Sequence, residues 1–369
     1  MSTKLAERLK AHIQETGPMT VAEYMTYCLL DPVDGYYPTR DPLGSEGDFI
    51  TAPEISQMFG EVIGLFVLQS WIDLGRPDTV YLVELGPGRG VMMSDMLRAA
   101  CLDFDFKAAV KVIFVEVSAA LEAVQGQTLA NSGVPVEWVL SLNDVPQGPV
   151  IIIGNEFLDC LPVRQFIQRD PFAGIKGWHE RMVNLTDEGQ LRYEASPEPA
   201  SKAAKSFIPK SQEGAKLDDL IETCPSAHQI IEQLRTRFKN NTGRALFIDY
   251  GPETTEFGDT VQALKRHKKI GVFELPGESD LTARVDFETL SIIAQDAGLN
   301  SHGPIQQREF LSKLGLEMRA VALARAKPDS KALIARQLHR LTDNKEMGEL
   351  FKAICIQSPD LPLPLGFRE

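Results

Sequence analysis

The sequence predicts an α/β fold built on a doubly wound, largely parallel sheet. Three observations point to it. Short β-branched runs alternate with helical patterns, the first such run feeds straight into a glycine-rich turn, and polar side chains gather where later strands end. The turn lies within Tyr81 to Gly90, YLVELGPGRG, where Gly86, Gly88 and Gly90 recur at every second position and the helix formers from Val91 to Ala100 follow at once. Alternating glycines let the backbone turn tightly and let a ligand approach closer than any Cβ would allow.

Ahead of this turn, Leu5 to Ile13 carries apolar residues at helical spacing, and Thr20 with Glu23 forms a capping box that opens a second helix toward Leu30. A loop rich in Gly, Pro and Asp follows, DPVDGYYPTRDPLGSEGDFIT. Thr51 and Glu54 read as another capping box, with Pro53 in the first turn of a helix running to about Leu74 and stopping at Gly75. After the glycine turn, Val110 to Val115 is a second strand ending in Glu116, and Ser118 opens a helix through about Ala130. Val134 to Val139 and Pro149 to Ile153 are the third and fourth strands. The fourth is nearly pure isoleucine and is expected to be buried on both faces.

Beyond Arg164 the pattern becomes antiparallel, with short strands at Gln165–Gln168, Gly177–Val183 and Gln190–Tyr193, then a mobile excursion, EASPEPASKAAKSFIPKSQEGAK. The parallel pattern resumes with a helix from Ala227 to Phe238 and a fifth strand, Arg244 to Ile248, ending in Asp249-Tyr250-Gly251. A helix from Asp286 to Ala297, a helical stretch to about Leu341, a last strand at Phe351–Gln357 and an extended proline-rich tail complete the chain. The expected organisation is an N-terminal helical cap with the GDFIT loop over 1–75, a core over 76–163 and 227–369, and an antiparallel insertion over 164–226.

Composition excludes several functions. The net charge is −13, which leaves no basic excess to neutralise phosphates, so nucleic acid is not an expected partner. The five cysteines have no CxxC pair and the six histidines no HExxH-type cluster, so a reducing compartment and metal-free chemistry are expected. The longest apolar run, Val62–Ile72, is broken by Gln69 and Ser70 and is too short to span a membrane. The N-terminal residues resemble neither a signal nor a transit peptide, which points to a bacterial cytoplasm, or to the mitochondrial matrix for a processed chain. The insertion's strands offer an edge on which a homodimer could form.

The glycine spacing separates two cofactor classes. A dinucleotide site wants GxGxxG or GxGxxA, and here Val91 occupies the last position of that pattern. Glu84-x-Gly-x-Gly-x-Gly has the form of an S-adenosylmethionine site. In it Glu84, Gly86, Gly88 and Gly90 meet the amino-acid end, and Glu116 accepts the ribose hydroxyls from the end of the neighbouring strand. Asn155, Glu156 and Asp159, at the end of the fourth strand, are candidate catalytic residues. Asp48 and Thr51, in GDFIT, are candidate substrate-binding or lid residues.

Five blocks, GDFITAPEISQMFGE, ELGPGRGVMMSDMLR, NEFLDCLPVRQF, IDYG and DLTARVDF, in this order and spanning about Leu5 to Gly315, resemble the signature blocks of the MidA-like methyltransferases. That family includes a mitochondrial complex I assembly-factor protein arginine methyltransferase. The resemblance implies a class I, Rossmann-like methyltransferase fold, S-adenosylmethionine as cofactor, and a protein arginine acceptor, with a respiratory complex I subunit as the suggested partner. Arg284 stands where the block is expected to carry histidine, so no role of that histidine transfers, and Val91 stands where it is expected to carry threonine, a change that the start of a helix tolerates. An arginine acceptor keeps its proton with a pKa above about 12, so carboxylates must hold it and take the proton. Glu156 and Asp159, three apart in an expected helical turn, would share a face, with Asn155 as orienter. Two other readings use the same features: a non-catalytic cofactor-binding assembly protein and an NAD-dependent oxidoreductase.

Overall fold

A computed structural model describes residues 2–39, 51–169, 177–209 and 214–368. Its central sheet has seven strands: β1 (Val80–Leu85), β2 (Val110–Val115), β3 (Val136–Val139), β4 (Val150–Asn155), β5 (Gly243–Tyr250), β6 (Asn300–Gln306) and β7 (Phe351–Gln357). They lie in the order 3-2-1-4-5-7-6. The pairs β1–β2, β2–β3, β1–β4 and β4–β5 are parallel, and β7 runs antiparallel to both its neighbours. This is the doubly wound, Rossmann-like class I sheet that the sequence predicts. β6, the edge strand Asn300–Gln306, was not foreseen. Its sequence, NSHGPIQ, lacks a β-branched run, and β7 supplies its ladder.

Alternation along the strands builds one core on each face. Val80 and Leu82 pack with the helix Gln57–Asp73 on one side, while Val83 and Leu85 pack with the helix Pro225–Asn240 on the other. All six residues of β4 are buried, as its isoleucine run requires. The chain goes from β1 outward through β2 to β3, then crosses back to β4 on the other side of β1. The order therefore reverses between β1 and β4, and a crevice opens there at the strands' carboxyl ends.

A second, antiparallel sheet holds Arg164–Arg169, Gly177–Leu185, Leu191–Pro199 and Leu220–Thr223, joined by the short strand Met19–Thr20 from the N-terminal segment. Leu5, Leu9, Tyr24 and Met25 of the N-terminal helices share a core with Val183 of this sheet and with Ala263 and Leu281 of a three-stranded sheet over residues 262–282. The capping box at Thr20 forms as expected, with both reciprocal hydrogen bonds to Glu23.

Three local expectations are corrected. Thr51 makes no side-chain cap. The helix it opens ends at Ile55, and the extended residue Ser56 starts the long helix Gln57–Asp73 by accepting from the Met58 amide. The excursion after Tyr193 is partly ordered: its first residues continue the strand Leu191–Pro199, and Ser201 caps a helical turn, Lys202–Lys205. No helix follows β4, where Glu156–Pro162 is a non-helical turn. Pro162 at the end of that segment and the absence of a continuing helical pattern account for this.

The far end of β5 is tied down by Arg244, which is fully buried. Its guanidinium donates to Asp73 Oδ2 at 2.8 Å, Ser70 Oγ at 3.1 Å, Gln357 Oε1 at 2.7 Å and the Pro362 carbonyl at 2.9 Å. It thereby joins the sheet, the long helix and the C-terminal tail. Removing one partner of a buried ion pair strands the other, so Arg244→Ala should cost about 3 kcal/mol in denaturant unfolding. An unchanged midpoint would mean the tail and helix hold without this anchor.

Candidate functional site

The crevice at the β1/β4 reversal is a cleft of about 350 Å³. Its floor is the glycine turn. Gly86, Gly88 and Gly90 all have positive φ, at 61°, 55° and 76°, where a side chain is strained. A Cβ on Gly86 would come within 3.2 Å of the Phe157 ring, so the turn is also closely packed. Gln125, fully buried on the helix Ala119–Leu129, braces it from the side. Its Nε2 donates to the Gly88 carbonyl at 2.7 Å and to Glu116 Oε2 at 2.9 Å, and its Oε1 accepts from Trp138 Nε1 at 2.8 Å.

Glu84, the fifth residue of β1, is 2% exposed and lines the cleft. Among the described residues its buried Oε2 has no hydrogen-bond partner, and burial pushes the carboxyl well above the usual range. Glu116 sits at the end of β2. Its Oε1 accepts from the amides of Val117 and Ser118, both at 2.8 Å, which fixes the carboxylate at the cleft wall. Burial raises its pKa, against those hydrogen bonds.

From β4 come Asn155 and Glu156, both lining the cleft. Glu156 adopts φ +50°, uncommon for a residue with a side chain. Its amide donates to the Ile248 carbonyl at 2.9 Å, and its Oε1 accepts from the Ala52 amide at 2.9 Å and from Asn155 Nδ2 at 3.0 Å. It is thus Glu156, rather than the Thr51 side chain, that satisfies the first amide of the helix Ala52–Ile55. Burial, reinforced by the Asp249 charge, pushes Glu156 up to about 7.

The turn that follows is held by Asp249 of β5, fully buried. Its Oδ2 accepts from the amides of Phe157, Leu158 and Asp159 at 3.0, 2.8 and 3.2 Å, and its Oδ1 from the Tyr250 amide at 2.9 Å. Burial raises its pKa while the four amides oppose that rise.

The cleft therefore gathers Glu84, Gly86, Gly88, Glu116, Asn155, Glu156 and Thr51. Asp159 does not line it. Its carboxyl is buried, raised well above the usual range by burial and by Asp249 and Asp280, and it accepts from Cys160 Sγ at 3.3 Å. The expectation that Glu156 and Asp159 share one helical face fails because the turn is not helical. Gly90 lies under Gln125 as the left-handed N-cap of the helix Val91–Ala100. Asp48 falls outside the described residues. Sequence reasoning missed Asp249, although IDYG placed it at a strand end. It also missed Gln125, and Tyr37 and Cys160, which meet at 2.8 Å on the cleft wall from segments 123 apart.

The donor set suits one kind of ligand. A buried carboxylate with an unpartnered oxygen wants a cation with N–H donors, the glycine backbone admits a close-packed chain, and Glu116 can accept a pair of hydroxyls. These are the ammonium, the amino-acid stem and the ribose of S-adenosylmethionine. Among the described residues no His/Cys/Asp/Glu cluster could hold a metal ion, and no helix is long and apolar enough to cross a membrane.

Residues 62–305 match a family described as "Putative S-adenosyl-L-methionine-dependent methyltransferase". Two relatives are the mitochondrial protein arginine methyltransferases NDUFAF7 of Mus musculus and Homo sapiens. Both are 37% identical, over 95% and 96% of this chain and 83% of theirs. A crystal structure of a COG1565 superfamily member from Burkholderia thailandensis, bound to S-adenosyl-homocysteine, superimposes with a TM-score of 0.84 at 27% identity, covering 98% of this chain and 93% of that one. The mitochondrial relatives do not support the expectation of a cytoplasmic protein.

The raised carboxyls leave a signature in the ligand-free protein. Glu156 binds its proton more tightly folded than unfolded, so folding is favoured by protons. Its contribution is lost as pH climbs from the ordinary value of 4.5 through about 7. The thermal midpoint should therefore fall less with rising pH in Glu156→Gln than in the wild type, each tenfold difference in proton affinity being worth about 1.4 kcal/mol. Parallel pH profiles for the two proteins would contradict a buried, proton-hungry Glu156.

Proposed function

The chain belongs to the S-adenosyl-L-methionine-dependent methyltransferase family, and from that premise we propose that it methylates arginine in a protein acceptor, with Glu156 as proton acceptor. The observation that carries this reading is the state of Glu156. It is a cleft-lining carboxyl whose Oε1 takes both hydrogen bonds from described residues, and burial places it at about 7. Support for the acceptor class comes from relatives named as protein arginine methyltransferases, similar along nearly the whole chain.

S-adenosylmethionine, which Glu84, the glycine turn and Glu116 would hold, would supply an activated methyl group whose in-line transfer to the acceptor nitrogen leaves the C–S electron pair on sulfur. The protein must supply the rest. In this reading Glu156 Oε2 receives the N–H proton that the attacking guanidinium nitrogen sheds, and its negative charge holds the planar cation against the cleft wall. A group titrating near 7 is ionised often enough to accept and basic enough to help, which is the compromise general-base catalysis requires. Asp159 is assigned a supporting role. Buried within the turn, it presents an oxygen to the Cys160 thiol and so steadies the wall where Tyr37 meets Cys160. Thr51 lies at the rim beside Pro53, Glu54 and the Glu156-capped amide, and is proposed to contact the donor or the acceptor, with Asp48 from the same loop.

The finer parts of the proposal are a respiratory complex I subunit as acceptor, a mitochondrial compartment, and a second copy pairing along the outer strand Leu191–Pro199. The compartment is supported by the mitochondrial relatives.

Incubation with methyl-labelled S-adenosylmethionine and a cell extract, followed by mass spectrometry of the labelled protein, should place the label on arginine. Label on another residue type, or on small molecules only, would sink the acceptor assignment. Glu156→Gln should lower the transfer rate by about a hundredfold or more while leaving S-adenosylhomocysteine affinity within about threefold. In the wild type the rate should rise with pH through about 7, because protonated Glu156 cannot accept. An active Glu156→Gln enzyme with the same pH profile would remove Glu156 from the chemistry.

A further inference from the structure

We propose that the side-chain amide of Asn155 bridges the cofactor's ammonium group and the Glu156 carboxylate, so that seating the methyl donor also fixes the proton acceptor. Asn155 is 8% exposed and lines the cleft at the end of β4. Its two polar atoms are in unequal positions. Nδ2 donates to Glu156 Oε1 at 3.0 Å, whereas the buried Oδ1 has no hydrogen-bond partner among the described residues.

That orientation is the one an ionised Glu156 requires. A carboxylate only accepts, so toward the ionised group the amide must turn its nitrogen to Glu156 and its oxygen the other way. The second unpartnered oxygen of the cleft is Glu84 Oε2, on the adjacent parallel strand. There Leu85 is in register with Gly154, the residue before Asn155. Two neighbouring strand ends thus present a carboxyl oxygen, which a cation beside it would hold as an anion, and a neutral amide oxygen to the same cleft, both without a hydrogen-bond partner among the described residues. A group with several N–H donors and a positive charge satisfies both at once. A hydroxyl, with a single donor, satisfies only one. The amino-acid end of S-adenosylmethionine carries such an ammonium.

The consequence is a linkage. With Oδ1 held by the ammonium, the amide cannot rotate its oxygen toward Glu156, and Nδ2 stays on Oε1. Oε2 then remains the oxygen available to the acceptor. Glu156 is thereby oriented through Asn155, a positioning residue, by the molecule whose methyl group is to be transferred. The ammonium contact rests on the family's cofactor alone. The bridge to catalysis rests in addition on the proposed role of Glu156.

Calorimetric binding without any acceptor separates these parts. S-adenosylhomocysteine carries the amino-acid end and 5′-methylthioadenosine lacks it. Asn155→Ala should weaken S-adenosylhomocysteine about tenfold or more and leave 5′-methylthioadenosine within about twofold, because only a charged donor loses its partner. Equal loss of both ligands would mean a collapsed cleft, and loss of neither an uninvolved amide. Either result overturns the contact. Asn155→Asp keeps an acceptor oxygen but loses the donor to Glu156. It should bind S-adenosylhomocysteine within about threefold of wild type yet transfer methyl groups to the labelled extract protein at least about tenfold more slowly. Wild-type transfer by this variant overturns the bridge while leaving the ammonium contact standing.

Discussion

The Asp249 carboxylate, fully buried at the end of β5, accepts hydrogen bonds from four backbone amides, those of Phe157, Leu158, Asp159 and Tyr250. The turn after β4 has no helix to organise its amides, so a side chain from the next strand does it. Because β4 and β5 are parallel and in register from Gly243–Val150 to Ile248–Asn155, Asp249 arrives one residue beyond the last pair, directly beside the turn. Phe157 is held against Gly86, and Glu156 is forced through a left-handed conformation that turns its carboxyl to the cleft. Floor, wall and acid of the site depend on this one clasp.

The site concentrates buried carboxyls that the ligand-free protein can hold only at some cost. Glu84, Glu156 and Asp159 are all shifted upward, chiefly by desolvation. Asp249 is shifted upward as well, although four amides oppose the effect of its burial, and Glu116 is partly relieved by two amides and Gln125. Glu84 has no such relief. A cationic cofactor and a cationic acceptor are the partners that would stabilise these groups as anions, so the cost of burying them becomes binding preference. The strain at Glu156 belongs to the same pattern, since its carboxyl is positioned by hydrogen bonds from Ala52 and Asn155 rather than by a relaxed backbone.

Much of this was legible in the chain. The strand, glycine turn and helix at 80–100 can be read because each piece is local. Val80–Leu85 alternates between two faces, the glycines mark positive φ, and the helix formers begin at Val91. Glu84, Glu116 and Asn155 could be placed because strand ends are predictable and the topology puts ligands there. Contacts between distant segments were not legible. Tyr37 reaching Cys160, Gln125 bracing Gly88, Glu156 capping Ala52 and Asp249 clasping the turn each join residues 37 to 123 apart, and no periodicity encodes them. The misplacement of Asp159 has a related cause. Three-residue spacing implies a common face only in a helix, and whether the chain continues as a helix after β4 is settled by Asp249, a residue of another strand.

The central claim is that the clasped turn presents Glu156 to the methyl-donor site formed by Glu84, the three glycines and Glu116. A crystal structure of this protein with S-adenosylhomocysteine tests it most directly. The expected result is the ligand's ammonium within hydrogen-bond distance of Glu84 Oε2, its ribose on Glu116, and its sulfur on the side of the cleft where the Glu156 carboxyl stands, with Asp249 still holding the turn. A ligand whose sulfur points away from Glu156, or whose amino-acid end lies off the glycine turn, would contradict the account.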